Sequence, residues 1–168
     1  MPEHIQVTEG PGLPEIYVDF KNSQILSALT GEVISTVNGQ KDEQVVLGIV
    51  FSKVSSHFTH RKEVEVDRLI PRQGLETVSL ERFLEKKAGS CVQTTLTFRA
   101  IVNSLHENGL LKNIGKDEYF RGDRYSHVWF EYPTSGGFLC IDIVNNFIGP
   151  KQDYEERILN DLIESAYY

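Results

Sequence analysis

The chain has 168 residues, the usual size of a single domain, and carries a formal net charge of −7. Hydrophobic residues make up 40% of it and charged residues 24%, which is typical of globular proteins and not of disordered chains. The acidic balance and the lack of a Lys/Arg stripe argue against a protein that binds nucleic acid or an anionic membrane.

The sequence also limits the compartment and the kind of scaffold. The N-terminal residues lack the basic start and apolar run of a secretory signal, and no stretch has the roughly 18–20 apolar residues of a membrane span. The two cysteines, Cys91 and Cys140, are too few for a disulfide scaffold or a four-cysteine zinc site. We therefore expect a cytoplasmic protein.

The first half of the chain is predicted to be mainly helical. Residues 1–14 are rich in Pro and Gly and predict a flexible N-terminal arm, which leaves 15–168 as one domain. A short strand is expected over 15–20, whereas the pattern over 23–37 favours no single element. Asp42 is a typical N-cap for a helix with apolar residues at steps of three and four, and Ser79 is one for a second helix reaching Lys87.

The second half of the chain changes from helical to strand patterns. A helix is predicted from Cys91 to about His106, because Gly and Ser precede it and Asn-Gly follows it. The pattern predicts two strands of a hairpin, Ser126–Tyr132 and Phe138–Val144, and a last helix over residues 153–166. Helices followed by strands indicate an α+β protein.

Cys91 occupies a position that favours a reactive thiol. At the first turn of a helix, unpaired backbone N–H groups and the positive end of the helix dipole favour the thiolate form of cysteine. Steps of three and four residues from Cys91 meet mostly apolar residues, so its sulfur is expected to face the strands on which the helix packs.

The two strands supply the groups that a nucleophilic thiol needs. Alternation places His127 on the same strand face as Trp129 and Glu131, and Asp142 on the same face as Cys140. Antiparallel pairing of the hairpin can bring Asp142 beside His127. A thiol, an imidazole and a carboxylate then form a nucleophile, a general base and an orienting group for acyl transfer.

These motifs resemble the transglutaminase-like branch of the papain-fold enzymes. Gly89-Ser90-Cys91 at a helix start, His127-Val128-Trp129 on a strand and Asp142 on the next strand follow the Gly-x-Cys, His-x-Trp and Asp pattern of that family. The resemblance covers roughly residues 42–145, and the Asp-Pro common in the family is replaced here by Asp-Ile.

The resemblance implies a papain-like/transglutaminase-like fold, with the nucleophile helix packed on a small antiparallel sheet. It implies attack on an amide of a protein or peptide by Cys91, with a thioester intermediate, His127 as acid and base, and Asp142 as the orienting carboxylate. Hydrolysis, as in a cysteine peptidase or deamidase, is favoured slightly over transfer to an amine. This chemistry requires neither a metal nor an organic cofactor.

Two other functions stay open at the level of sequence. The same fold could serve as a non-catalytic protein-interaction module that binds through the aromatic residues of the segment 119–125. Alternatively, Cys91, His127 and Asp142 could together ligate a metal ion. Cys140 is expected to be a buried hydrophobic residue, since that is the usual environment of a free cysteine.

Overall fold

The computed structural model describes residues 3–5, 16–20, 22–60, 63–70, 77–121 and 126–167, and its architecture is α+β. The helices are α1 (Gln24–Val37), α2 (Glu43–His57), α3 (Glu63–Asp67), α4 (Leu80–Lys86), α5 (Cys91–Glu107), α6 (Lys151–Tyr154) and α7 (Asn160–Tyr167), with a π-helical turn, Glu155–Leu159, between the last two. The strands are β1 (Glu3–Ile5), β2 (Ile16–Val18), β3 (Val78–Ser79), β4 (Lys116–Arg121), β5 (Ser126–Thr134), β6 (Gly137–Asp142) and β7 (Phe147–Pro150).

The helical half of the molecule is built around α5. Helices α1, α2 and α4 contact it, and their apolar faces share one core with the near side of the sheet. The predicted N-caps are confirmed: the Asp42 side chain accepts a hydrogen bond from the N–H of Gln44, and Ser79 accepts one from Glu81. Each cap satisfies a backbone donor that the helix itself leaves unpaired.

The main sheet is antiparallel, with strand order β4-β5-β6-β7. The predicted hairpin is β5 and β6, in a register that pairs Phe130 with Ile141. Strand β6 ends at Asp142 rather than at Val144, because a turn follows in which Asn146 has a φ of 52°. Asn adopts this left-handed conformation more readily than most residues.

Other elements cover both faces of β5. All residues from His127 to Tyr132 are buried, although their side chains alternate between the two faces of the sheet. On one face Phe130 packs against Phe98 of α5, with ring centroids 5.3 Å apart. On the other face Trp129 packs against Tyr154 of α6, at 5.2 Å. The predicted alternation along β5 is therefore confirmed, and the C-terminal helices close the face that carries His127.

Strands β1, β2 and β3 form a second small sheet, in which β1 is antiparallel to β2 and β2 is parallel to β3. Within the predicted arm, residues 3–5 are thus paired with another strand. The other residues of the segment 1–14 lie outside the described residues, and so does that part of the arm prediction.

Four elements differ from the sequence-based expectations. Helix α1, with Ser23 as its N-cap, lies in the segment 23–37 whose sequence pattern favours no single element, and β4 and β7 extend the expected hairpin into four strands. The last helix begins at Lys151 instead of 153 and contains the π-helical turn. Among the described helices, none combines the length and the apolar character of a membrane span.

Candidate active site

The start of α5 is fixed by local contacts on both sides of Cys91. The side-chain Oε1 of Gln93 accepts hydrogen bonds from the Ser90 backbone N–H at 3.0 Å and from its hydroxyl at 2.9 Å. Before them, Gly89 lies against the buried ring of Phe58, and a Cβ at this glycine would come within 2.6 Å of Phe58 Cδ1. The Gly-x-Cys sequence therefore has a steric reason here: only glycine fits beneath the phenylalanine.

Cys91 is partly exposed and makes a hydrogen-bonding contact with the His127 side chain. The opposite nitrogen of the imidazole, Nε2, lies 2.6 Å from Asp142 Oδ2. Since Asp142 occupies Nε2, Nδ1 is the nitrogen left for the sulfur. The structure thus brings together the three candidate residues that were predicted from the sequence: the Cys91 thiol contacts the His127 imidazole, which contacts the Asp142 carboxylate.

Two further residues hold the Asp142 carboxylate. The backbone N–H of Asn145 donates to Oδ1 at 3.1 Å, and its side-chain amide donates to Oδ2 at 2.8 Å. The hydroxyl of Tyr154, from α6, also donates to Oδ2 at 2.8 Å. With the imidazole included, the carboxylate accepts four hydrogen bonds, which makes its burial energetically tolerable.

The electrostatics of this group favour a charged imidazole and a charged carboxylate. Burial lowers the pKa of His127, but hydrogen bonds to Asp142 and Cys91 and the negative charge of Asp142 raise that pKa to about 9. Burial raises the pKa of Asp142, but hydrogen bonds from His127 and Asn145 and the charge of His127 bring it below its usual value. The pair is therefore an ion pair at neutral pH.

Cys140 lies outside this group and is completely buried. Its sulfur contacts Glu131 Oε1 at 3.7 Å, on the strand neighbouring its own. Burial and the Glu131 carboxylate raise the pKa of the Cys140 thiol to about 12. The expectation that Cys140 is a buried residue is confirmed, and its thiol is protonated at any physiological pH.

The remaining candidates from the sequence have simpler environments. Trp129 is buried, stacks on His127 with ring centroids 6.3 Å apart, and donates its indole N–H to Glu131. Tyr119 is partly exposed on β4, while 122–125 of the aromatic segment lie outside the described residues. Across the described ranges, no cluster of three or more His, Cys, Asp or Glu side chains is arranged to hold a metal ion.

Sequence reasoning missed Asn145 and Tyr154. Asn145 had a usable signal, since Asp followed three residues later by Asn after a strand is typical of a turn in which the side chains bond the backbone. Tyr154 had none, because its contact with Asp142 depends on how the C-terminal helices pack on the sheet.

Comparisons of the chain with models of known protein families, with curated proteins and with solved structures found no match. The functional interpretation therefore rests on the geometry of the site and on the motifs that carry it.

Proposed function

We propose that the protein is a thiol-dependent acyl-transfer enzyme that attacks an amide of a protein or peptide through Cys91, His127 and Asp142. One observation carries the proposal: a single buried imidazole contacts the Cys91 sulfur on one side and a fully hydrogen-bonded carboxylate on the other. An imidazole that only filled the core would need neither a thiol partner nor a carboxylate held by four donors.

The first half-reaction follows from these contacts. The Cys91 thiolate attacks the amide carbon, and the carbonyl electron pair becomes an oxyanion to which the backbone N–H of Cys91, at the start of α5, donates a hydrogen bond. The oxyanion then collapses and the C–N bond breaks, while the His127 imidazolium gives its proton to the departing amine. The products of this step are a thioester on Cys91, a free amine and a neutral imidazole.

The second half-reaction restores the enzyme. The neutral His127 takes a proton from water, the resulting hydroxide equivalent attacks the thioester carbon, and the C–S bond breaks to release a carboxylic acid and the Cys91 thiolate. An amine in place of water gives a new amide instead. Asp142 keeps the ring oriented and stabilises its cationic form throughout.

The arrangement of elements also supports a papain-like, transglutaminase-like fold as a proposal. The nucleophile begins a helix that packs on an antiparallel sheet, and the histidine and the aspartate lie on two neighbouring strands of that sheet. These are the features that the resemblance predicts.

Selective alkylation tests the proposed nucleophile. At about pH 6 an ordinary thiol is mostly protonated and reacts slowly with iodoacetamide. We expect Cys91 to react at least about tenfold faster than free glutathione there and His127→Ala to remove the excess. Cys140→Ala is the matched control, because it removes the buried thiol and should leave the rate unchanged. Equal rates for Cys91 and glutathione would contradict a thiolate–imidazolium pair.

A second assay identifies what resolves the thioester. Dimethylcasein is incubated with the protein and a fluorescent primary amine, and three products are measured: new protein N-termini, free ammonia and incorporated amine. New N-termini indicate a peptidase, ammonia alone a deamidase, and incorporated amine a transferase. If none of the three products forms, Cys91 reacts no faster than glutathione, and Cys91→Ala binds a partner protein as well as the unmodified chain does, a non-catalytic interaction module is the better interpretation.

A further inference from the structure

The C-terminal helices contribute a polar group to the candidate site. Tyr154 lies on α6, beyond the segment 42–145 that carries the family resemblance, and its side chain is completely buried. Its ring packs against Trp129 and Phe147, each with centroids 5.2 Å away, and its hydroxyl donates to Asp142. The ring of Tyr154 thus packs in an apolar cluster, whereas its hydroxyl contacts the candidate site.

The geometry at Asp142 shows what the hydroxyl does. Oδ2 accepts from His127 Nε2 at 2.6 Å, from Asn145 Nδ2 at 2.8 Å and from the Tyr154 hydroxyl at 2.8 Å. A carboxylate oxygen with several donors presents less negative charge to each of them. The Tyr154 hydroxyl therefore competes with the imidazolium for the same oxygen.

We propose that Tyr154 is a positioning residue that limits how tightly Asp142 holds the proton on His127. This inference rests on the proposed function, in which His127 must give that proton to the departing amine. An unshared carboxylate would stabilise the imidazolium more strongly and make it a weaker acid. The shared Oδ2 keeps His127 charged before the reaction and still able to release its proton during it.

The test is an NMR titration of the His127 ring in the full-length, isotope-labelled chain, with the resonance assigned by its loss in His127→Gln. The unmodified chain should titrate near pH 9. Tyr154→Phe keeps the ring and removes the hydroxyl, so we expect the midpoint to rise by on the order of half a pH unit. Asn145→Ala removes another donor to the same oxygen and should shift the midpoint in the same direction.

Tyr132→Phe is the matched control. Tyr132 is also completely buried on this sheet and its hydroxyl also donates to a carboxylate, Glu43 Oε1 at 3.2 Å, on the opposite face from His127. The control should leave the His127 midpoint unchanged, whatever it does to stability.

The outcomes separate this inference from the proposed function. A midpoint in Tyr154→Phe that equals or falls below that of the unmodified chain overturns the role of Tyr154 and leaves the triad intact. A Tyr154→Phe chain that does not fold overturns it too, because the hydroxyl then serves folding. A midpoint near pH 6.5 in the unmodified chain would remove the ion pair on which both proposals depend.

Discussion

His127 and Asp142 are 2% and 1% exposed, so the site places an ion pair almost wholly out of water. Transfer of two charges from water is costly, and mutual attraction repays the cost only when hydrogen bonds satisfy the remaining atoms. Asp142 meets that condition through Asn145 and Tyr154. The pair is consequently rigid, which suits an imidazole that has to be oriented toward a sulfur.

The raised pKa of His127 makes stability depend on pH. Because the folded-state pKa of about 9 exceeds the ordinary value of 6.5, the protonated ring stabilises the fold fully below pH 6.5 and loses that contribution as pH rises through 9. We expect the free energy of unfolding of the unmodified chain to fall by on the order of 2 kcal/mol more than that of His127→Gln between these values. Urea denaturation at both pH values measures the difference.

On the acid side, the contribution of Asp142 to the free energy of unfolding changes with pH in the opposite direction. The folded-state pKa of Asp142 is lowered, so its contribution is present above the ordinary carboxyl pKa and is lost as pH falls through the folded value. The His127 prediction has its own contrary outcome. If the free energy of unfolding falls equally in His127→Gln and in the unmodified chain between pH 6.5 and 9, the imidazolium does not stabilise the fold.

Asp142→Asn isolates the charge of the orienting group. The amide keeps the shape of the side chain but leaves the imidazole without a negative partner, so the pKa of His127 should fall toward its ordinary value. We expect kcat on an amide substrate to drop by about 10²–10⁴-fold with little change in KM. Steady-state kinetics measures both constants, and Glu118→Gln, on the exposed edge strand β4, is the comparison variant. Unchanged kcat in Asp142→Asn would exclude Asp142 from the reaction.

At the scale of elements, the junction before α5 depends on a glycine. Gly89→Ala would place a methyl group 2.6 Å from a buried ring atom of Phe58, and we expect a loss of about 1–3 kcal/mol of stability and slower alkylation of Cys91. Gly31→Ala, in α1, meets no atom within 4 Å and should stabilise the chain by up to about 1 kcal/mol. Thermal unfolding of both variants, and of Gly89→Ala combined with Phe58→Leu as a rescue, tests the steric explanation. Equal effects of the two alanines would rule it out.

The elements that sequence predicted have strong local signals. Helix α5 has a glycine before it and Asn-Gly after it, and β5 alternates in its side-chain faces. Helix α1 was not assigned, although its buried residues Leu26, Leu29, Val33 and Val37 follow helical spacing, because Ser, Thr and Gly between them weaken the pattern. The edge strand β4 reads Lys-Asp-Glu-Tyr-Phe-Arg and has no apolar alternation; pairing with β5 determines it.

The same distinction applies to the site. Cys91, His127 and Asp142 could be proposed because each lies at a recognisable point of a helix or strand. Pairing in the hairpin brings Asp142 to the sheet face of His127, and the packing of α5 on β5 adds Cys91. The contact of Tyr154 with Asp142 depends on a helix packing on a sheet, and no spacing in the sequence encodes that. Local sequence patterns thus predict the three residues proposed to react better than they predict the residues that support them.

In the molecule as a whole, a salt bridge between a partly exposed lysine and a buried glutamate attaches the C-terminal helices to the sheet. Lys151 Nζ lies 2.9 Å from Oε1 of Glu131, whose side chain is 1% exposed. We expect Lys151→Met to cost about 1–3 kcal/mol, since it removes the nearer of the two cations that face a buried carboxylate, and Glu131→Gln to recover much of the loss in the double variant. Denaturant unfolding of the two single variants and the double variant gives the coupling energy. Strictly additive effects would mean that the ion pair does not dock the helices.

The single tryptophan of the chain offers a direct optical reading of the site. Trp129 stacks on His127 with planes 21° apart, and a protonated imidazole so close to an indole quenches its fluorescence by accepting an electron from the excited state. Emission should therefore brighten as His127 loses its proton around pH 9, and His127→Gln should abolish the step. A fluorimeter could thus follow the protonation of His127 in unlabelled protein. In a stopped-flow experiment, the same signal would report when His127 loses its proton after a compound binds.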